Sequence, residues 1–379
     1  MSAAPRRILH IFSTFDPGGP QLRQARLIGQ LPASWSHEIL AMDGRTGARA
    51  HLPADRECTF VDAPTPHGVL GLRKLGRFLA ARPADLRITY NWGAFDMLAA
   101  ARLRGLAPLL HVVDGFRPDE ADHEIFRRRM ARRLLYPRVD AVVVISEQLR
   151  RMAKTSWHVP TEKLHYIPNG VDLARFAHGD RAQAHARWDL PEAAVILGAV
   201  GGLRAVKDHP TLLRAFALLE SEPILVIAGD GPLQSALHEL AEELGVADRI
   251  RFLGHVEDTS ELYPALDLLV FSSQSEQMPI TALEAMASSL PIVGTQVGDL
   301  AHMLPSAATG LLAPPREPKA LAACIQPLLA SPEARERAGH ANLMRCRESY
   351  SEETMIASWE ELLSQLLLDP DDRGIIRAE

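Results

Sequence analysis

Short apolar runs punctuate the chain, and stretches of helical periodicity fill the gaps between them. In the first half the runs predict strands at Ile8–Ser13, Glu38–Met42, Leu86–Tyr90, Leu109–Val113, Ala141–Ile145 and Leu164–Ile167. In the second half they predict strands at Val195–Val200, Ile224–Ala228, Ile250–Leu253, Leu268–Phe271, Ile292–Gly294 and Leu311–Leu312. Apolar residues at helical spacing lie between them, as in Thr211–Leu219 and Leu233–Leu244. Strands that alternate with helices build parallel, doubly wound sheets, so the expected class is α/β. There are too many strands for one compact sheet, and two Rossmann-like domains are expected. The polar stretch Asp172–Asp189 holds no strand pattern and is the expected joint, giving domains at 1–178 and 179–350. Ser351–Leu368 has the apolar spacing of an amphipathic helix, and the charged tail Asp369–Glu379 should fray.

Composition narrows this only slightly. The 379 residues are 47% hydrophobic, enough to fill two ordinary cores, and the net charge of −6 gives no sign of a nucleic-acid partner. Cys58, Cys324 and Cys346 are far apart and lack metal-ligand spacing, which fits idle thiols in a reducing cytoplasm. The apolar run after Arg6 and Arg7 is short and soon meets Asp16, so it suits a first strand better than a leader peptide. No apolar segment has the length of a membrane span.

The chemistry concentrates around Ser275–Ala287. Glu276 and Glu284 are eight positions apart, with Met278, Pro279 and Ile280 between them. Glu276 falls on the loop after the strand Leu268–Phe271, where open α/β sheets place their ligands. Pro279 suits the first helical position, which would leave the N–H groups of Ile280, Thr281 and Ala282 aimed outward at a phosphate. Glu284, farther along that helix, is within reach of a ribose. A phosphate flanked by hydroxyls describes a nucleotide sugar. Upstream, Gly198–Pro210 runs from a strand through Gly201 and Gly202 into Arg204 and Lys207, two cations placed to neutralise a diphosphate. Gly229-Asp230-Gly231 is a tight turn after the next strand. Gly-x-Gly-x-x-Gly is absent after the first strand, which argues against a nicotinamide dehydrogenase.

Glu276 and Glu284, followed by Ala285-Met286-Ala287, resemble the donor-site signature of retaining GT-B glycosyltransferases of family 4. Landmarks over roughly 195–315 support the resemblance in order and spacing: Val206-Lys207-Asp208-His209, Gly229-Asp230-Gly231, Arg251–Val256, Gly298-Asp299 and Thr309–Leu312. The resemblance implies transfer of a hexosyl unit from a UDP- or GDP-sugar to a glycan or lipid-linked hydroxyl, with retention and with no metal or cofactor. It implies that Arg204 and Lys207 hold the diphosphate, that Glu276 binds sugar hydroxyls, that Glu284 binds the ribose and that His255 lies near the base. The family often places its arginine where Gly202 stands here. It also implies that the last helix crosses back onto the first domain.

In that first domain, Gly18 and Gly19 match the family's N-terminal loop, and Asn91-Trp92-Gly93 could border the acceptor pocket. The polar helper that the family places at the exit of the strand Leu109–Val113 falls on Asp114, with His111 and His123 as the alternatives. Arg127, Arg128, Arg129, Arg132 and Arg133 lie on one helix. They suit either a solvated face or contact with anionic lipid at the inner face of a membrane. Two other classes share this architecture: a sugar-nucleotide epimerase or phosphorylase, and a binding protein that keeps the donor site without turnover.

Overall fold

A computed structural model of the chain describes residues 6–64, 69–116, 118–120, 123–177, 179–305 and 311–368. The expected Thr309-Gly310 turn and the tail Asp369–Glu379 lie outside these residues. The chain forms two compact units, Met1–Pro168 with Met355–Glu379, and Asn169–Thr354.

The first unit is built on β1 (Arg6–Phe12), β2 (Trp35–Ala41), β3 (Cys58–Asp62), β4 (Leu86–Tyr90), β5 (Leu109–Val113), β6 (Ala141–Val144) and β7 (Leu164–Tyr166). All are parallel, in the order β3-β2-β1-β4-β5-β6-β7. β4, β5 and β6 are buried on both faces, and β6 accordingly reads as an unbroken apolar run, while Arg87 and Thr89 interrupt β4 and His111 interrupts β5. β3 was not expected. Its sequence Cys-Thr-Phe-Val-Asp has no fully buried residue, as suits an edge strand. The helix Glu352–Leu367 sends Met355, Trp359, Leu362, Leu363, Leu366 and Leu367 into this unit's core, beside Ile8, Phe12 and Ile39.

The second unit holds β8 (Ile196–Val200), β9 (Ile224–Ala228), β10 (Ile250–Gly254), β11 (Leu268–Val270), β12 (Ile292–Thr295) and β13 (Leu312–Ala313). They are also parallel, in the order β10-β9-β8-β11-β12-β13. Its core joins Leu197, Leu212, Phe216, Leu225, Leu268 and Ile325. The polar stretch after Val171 forms two short helices of this unit, Leu173–Ala177 and Arg181–Arg187. Asp180 caps the second by accepting from the N–H groups of Ala182 and Gln183.

Each sheet reverses its winding once, between β1 and β4 in the first unit and between β8 and β11 in the second. Loops leaving the strands at such a reversal diverge and leave a crevice for ligands.

Candidate active site

In the second unit two of the expected residues, Lys207 and Glu276, meet at this reversal. Lys207, from the loop after β8, donates to Oε1 of Glu276, from the loop after β11, at 2.5 Å. Ser273 Oγ donates to the same oxygen at 2.7 Å. The two loops are further laced by Ser272 Oγ to the Lys207 carbonyl and by the Gln274 N–H to the Val206 carbonyl, each 2.8 Å. Neighbouring turns brace them. Gly298 has φ +56°, and a Cβ there would lie 1.7 Å from the Glu276 carbonyl oxygen. A Cβ on Gly229 would lie 2.0 Å from the Gly201 carbonyl oxygen. Only glycine permits either approach.

Arg204 is exposed, and its side chain folds back over Gly202. A Cβ on Gly202 would meet Arg204 Nε at 3.5 Å. The Gly231 turn rests against Leu203, whose N–H reaches the Asp230 carbonyl at 2.7 Å. His255 is exposed just beyond β10, next to Gly254, which accepts from the Gly229 N–H at 2.7 Å.

The helix after Glu276 starts one residue later than the sequence suggests. Pro279 is its N-cap with ψ 122°, and the helix runs Ile280–Ala287. The Ala282 N–H bonds the Pro279 carbonyl at 3.1 Å, so it does not point outward as expected. Met278 is buried, with its sulfur accepting from the Asn169 N–H at 3.2 Å. Glu284 Oε2 accepts from Tyr263 OH at 2.9 Å and from Thr259 Oγ1 at 3.3 Å. Burial, and then the Glu284 carboxylate, push the Tyr263 phenol well above its ordinary range, so it stays a donor. Sequence reasoning missed Ser273, three residues from Glu276, and also Tyr263 and Thr259, which only the fold brings to Glu284.

In the first unit a hollow of about 500 Å³ opens beyond the ends of β1, β4 and β5, lined by Ser13, Asp43, Arg45, Trp92, Asp114 and Phe116 among others. Asp114 is nearly buried at the end of β5. Its Oδ1 lies 2.6 Å from Arg23 Nη2, and its Oδ2 accepts from Asn91 Nδ2 at 3.0 Å. The Asn91 side chain in turn accepts the Asp114 N–H at 2.7 Å. Arg23, on the helix that Gly18 caps and Gly19 begins, carried no sequence signal.

His111 does not reach this hollow. It is fully buried within β5, held by Thr89 Oγ1 at 2.7 Å and Tyr136 OH at 3.0 Å, and burial lowers its pKa to about 3. His111, the alternative to Asp114 for the polar helper, stands inside the strand, whereas Asp114 lies at its exit. His123 is exposed ahead of the helix Phe126–Leu135. The basic face expected on that helix is split. Arg128 pairs with Asp119 and Glu120, and Arg132 is buried against Glu120 and Glu124. Among the described residues no helix is long and apolar enough to cross a membrane.

Two doubly wound parallel units, each with its polar residues at the winding reversal, define the GT-B class. Comparison with known proteins agrees. Residues 17–175 match the family described as Glycosyltransferase Family 4, and residues 180–343 match Glycosyl transferases group 1. The chain belongs to the family 4 glycosyltransferases. It is 36% identical over 229 residues to a D-inositol 3-phosphate glycosyltransferase of Geodermatophilus obscurus, covering 54% of this chain and 51% of that one. It is 30% identical over 252 residues to the protein of the same description from Nocardia farcinica, covering 60% and 55%. The chain thus spans about half the length of these curated relatives. Anabaena HepE, solved in complex with UDP, superposes with a TM-score of 0.78 at 19% identity, over 95% of this chain and all of that one, a likeness of fold.

Proposed function

We propose that this chain transfers a hexosyl unit, with retention and without a metal, from a nucleotide diphosphate sugar to the hydroxyl of a glycan or lipid-linked acceptor. The pathway is synthesis of a cell-surface polysaccharide or glycolipid, and the site of work is the cytoplasm, at the inner face of the membrane. The observation that carries this reading is the Lys207–Glu276 contact across the winding reversal, with Arg204 on the same loop.

Breaking the bond between the sugar and the diphosphate leaves growing negative charge on the departing phosphate. Lys207, Arg204 and the N–H groups of Ile280 and Thr281 are positioned to stabilise it. Lys207 moves from Glu276 to the phosphate, which releases the carboxylate to accept hydroxyls of the transferred sugar. Glu284, oriented by Tyr263 and Thr259, accepts from the ribose hydroxyls. The hollow around Asp114 and Trp92 supports the acceptor role of the first unit. Trp92 offers an apolar ring face, and Asn91 and Asp114 add polar edges.

The test is a thermal-shift and turnover screen against UDP- and GDP-sugars, with and without EDTA, beside Lys207→Ala and Glu284→Ala. One donor should stabilise the parent and be turned over, indifferent to EDTA, and lose both effects in the variants. Stabilisation without turnover would instead identify a binding protein. No stabilisation by any donor would remove the donor-site assignment.

A further inference from the structure

The helix Phe126–Leu135 carries a second pattern beneath its charges. Phe126, Met130 and Leu134 are 64%, 42% and 64% exposed. They stand four residues apart, so they form one stripe along the helix. Half of the large exposed apolar side chains among the described residues lie here, which separates the stripe from ordinary scattered exposure. The arginines sort around it by helical angle. Arg128 and Arg132 point inward to Asp119, Glu120 and Glu124. Arg129 and Arg133 flank the stripe on one side and Arg127 on the other, all exposed. Among the described residues, Arg127 and Arg133 have no acidic partner. The helix itself contains no carboxylate, and exposed Arg138 lies just beyond its end, donating to the Leu134 carbonyl.

We infer that this face docks on an anionic lipid bilayer, with Phe126, Met130 and Leu134 entering the acyl boundary and Arg127, Arg129 and Arg133 meeting phosphate headgroups. An apolar stripe between exposed arginines is the pattern of a helix lying in the membrane interface. The whole chain is acidic, at −6, so overall charge would repel such a surface. The local arginines therefore fix which face approaches. A second copy of the chain is disfavoured as occupant, because a two-fold contact through the stripe would set arginines against arginines. The inner buttress of Arg128 and Arg132 explains why the helix can expose this face without loosening. Those two arginines are tied to carboxylates below it.

This deepens the membrane location proposed above and is separable from the donor reading, since vesicle binding needs no nucleotide. Co-sedimentation would use vesicles of phosphatidylcholine alone and of equal parts phosphatidylglycerol and phosphatidylcholine. The parent should pellet with the anionic vesicles, less so at high salt. Its affinity should fall at least about tenfold in a Phe126→Ser, Met130→Ser, Leu134→Ser variant and in an Arg127→Glu, Arg129→Glu, Arg133→Glu variant. Leu218→Ser, which removes an exposed apolar residue elsewhere, should bind like the parent. Thermal melts of both triple variants check that these exposed changes leave the fold intact. A parent that stays in the supernatant, variants that pellet as well as the parent, or a parent that dimerises through the stripe and ignores vesicles would each overturn the inference.

Discussion

Arg204 stands two residues beyond the place, held here by Gly202, where the pattern that the sequence resembles often carries its arginine. The Arg204 side chain lies back over the position where a Gly202 side chain would project. If it holds the diphosphate, Arg204→Ala removes a charged donor worth about 1.5–3 kcal/mol, or roughly ten- to hundredfold in donor affinity by titration. Gly202 has ordinary backbone space, so Gly202→Arg in the Arg204→Ala background should recover much of that loss. Affinity unchanged in the single variant would reduce Arg204 to a loop residue. Gly298→Ala tests the brace beneath Glu276. With φ +56° and a Cβ 1.7 Å from the Glu276 carbonyl oxygen, it should cost about 1–3 kcal/mol in urea unfolding and weaken donor binding through the displaced loop. The meeting of Lys207 with Glu276 was legible because both lie on loops that follow strands whose apolar runs are plain. Arg23 was not, because it meets Asp114 only after β1 and β5 enter one sheet, and nothing in either local pattern links a helix arginine to that carboxylate. His111, offered only as an alternative to Asp114, lies inside the strand for a related reason. A histidine two residues before a strand's end looks close to the exit, yet side chains two apart share a sheet face, and this one faces the core.

At the scale of elements, the sequence gives up its central strands readily and its edges poorly. β6 and β9 are buried throughout and appear as continuous apolar runs. β3 sits at an edge, has a mixed pattern and went unseen. The stretch after Val171 was legible as polar but not as helical, since helices of five and seven residues hold too few turns to show a period. The helix Glu352–Leu367 showed its apolar spacing, and that face lies in the first unit's core. Trp359 is 1% exposed there, so Trp359→Ala should cost about 3–5 kcal/mol by denaturant unfolding. A loss below about 1 kcal/mol would mean that the helix packs only loosely on that core.

Over the whole molecule, buried histidines set a common acid limit. Burial lowers His37 to about 4 and His111 to about 3 in the first unit, and His209 to about 4 in the second, from an ordinary 6.5. His10, bonded to His37 at 3.0 Å, is lowered too, by burial and then by its neighbour. The unfolded chain takes up protons near pH 6.5 that the folded chain refuses. These histidines therefore make stability fall as pH drops from about 6.5 to about 3. Urea midpoints measured across that range check the sign, and a midpoint that rises on acidification would contradict it. The return of the last helix bears on how the chain is made. A ribosome delivers residues in order, yet the first unit lacks six of its core side chains until Leu367 has emerged, whereas residues 169–354 are contiguous. A fragment of residues 169–354 should fold alone, and one of residues 1–168 should remain open to protease. The half made first is then the half finished last, and during synthesis its unfilled core waits as an apolar surface for chaperones to cover.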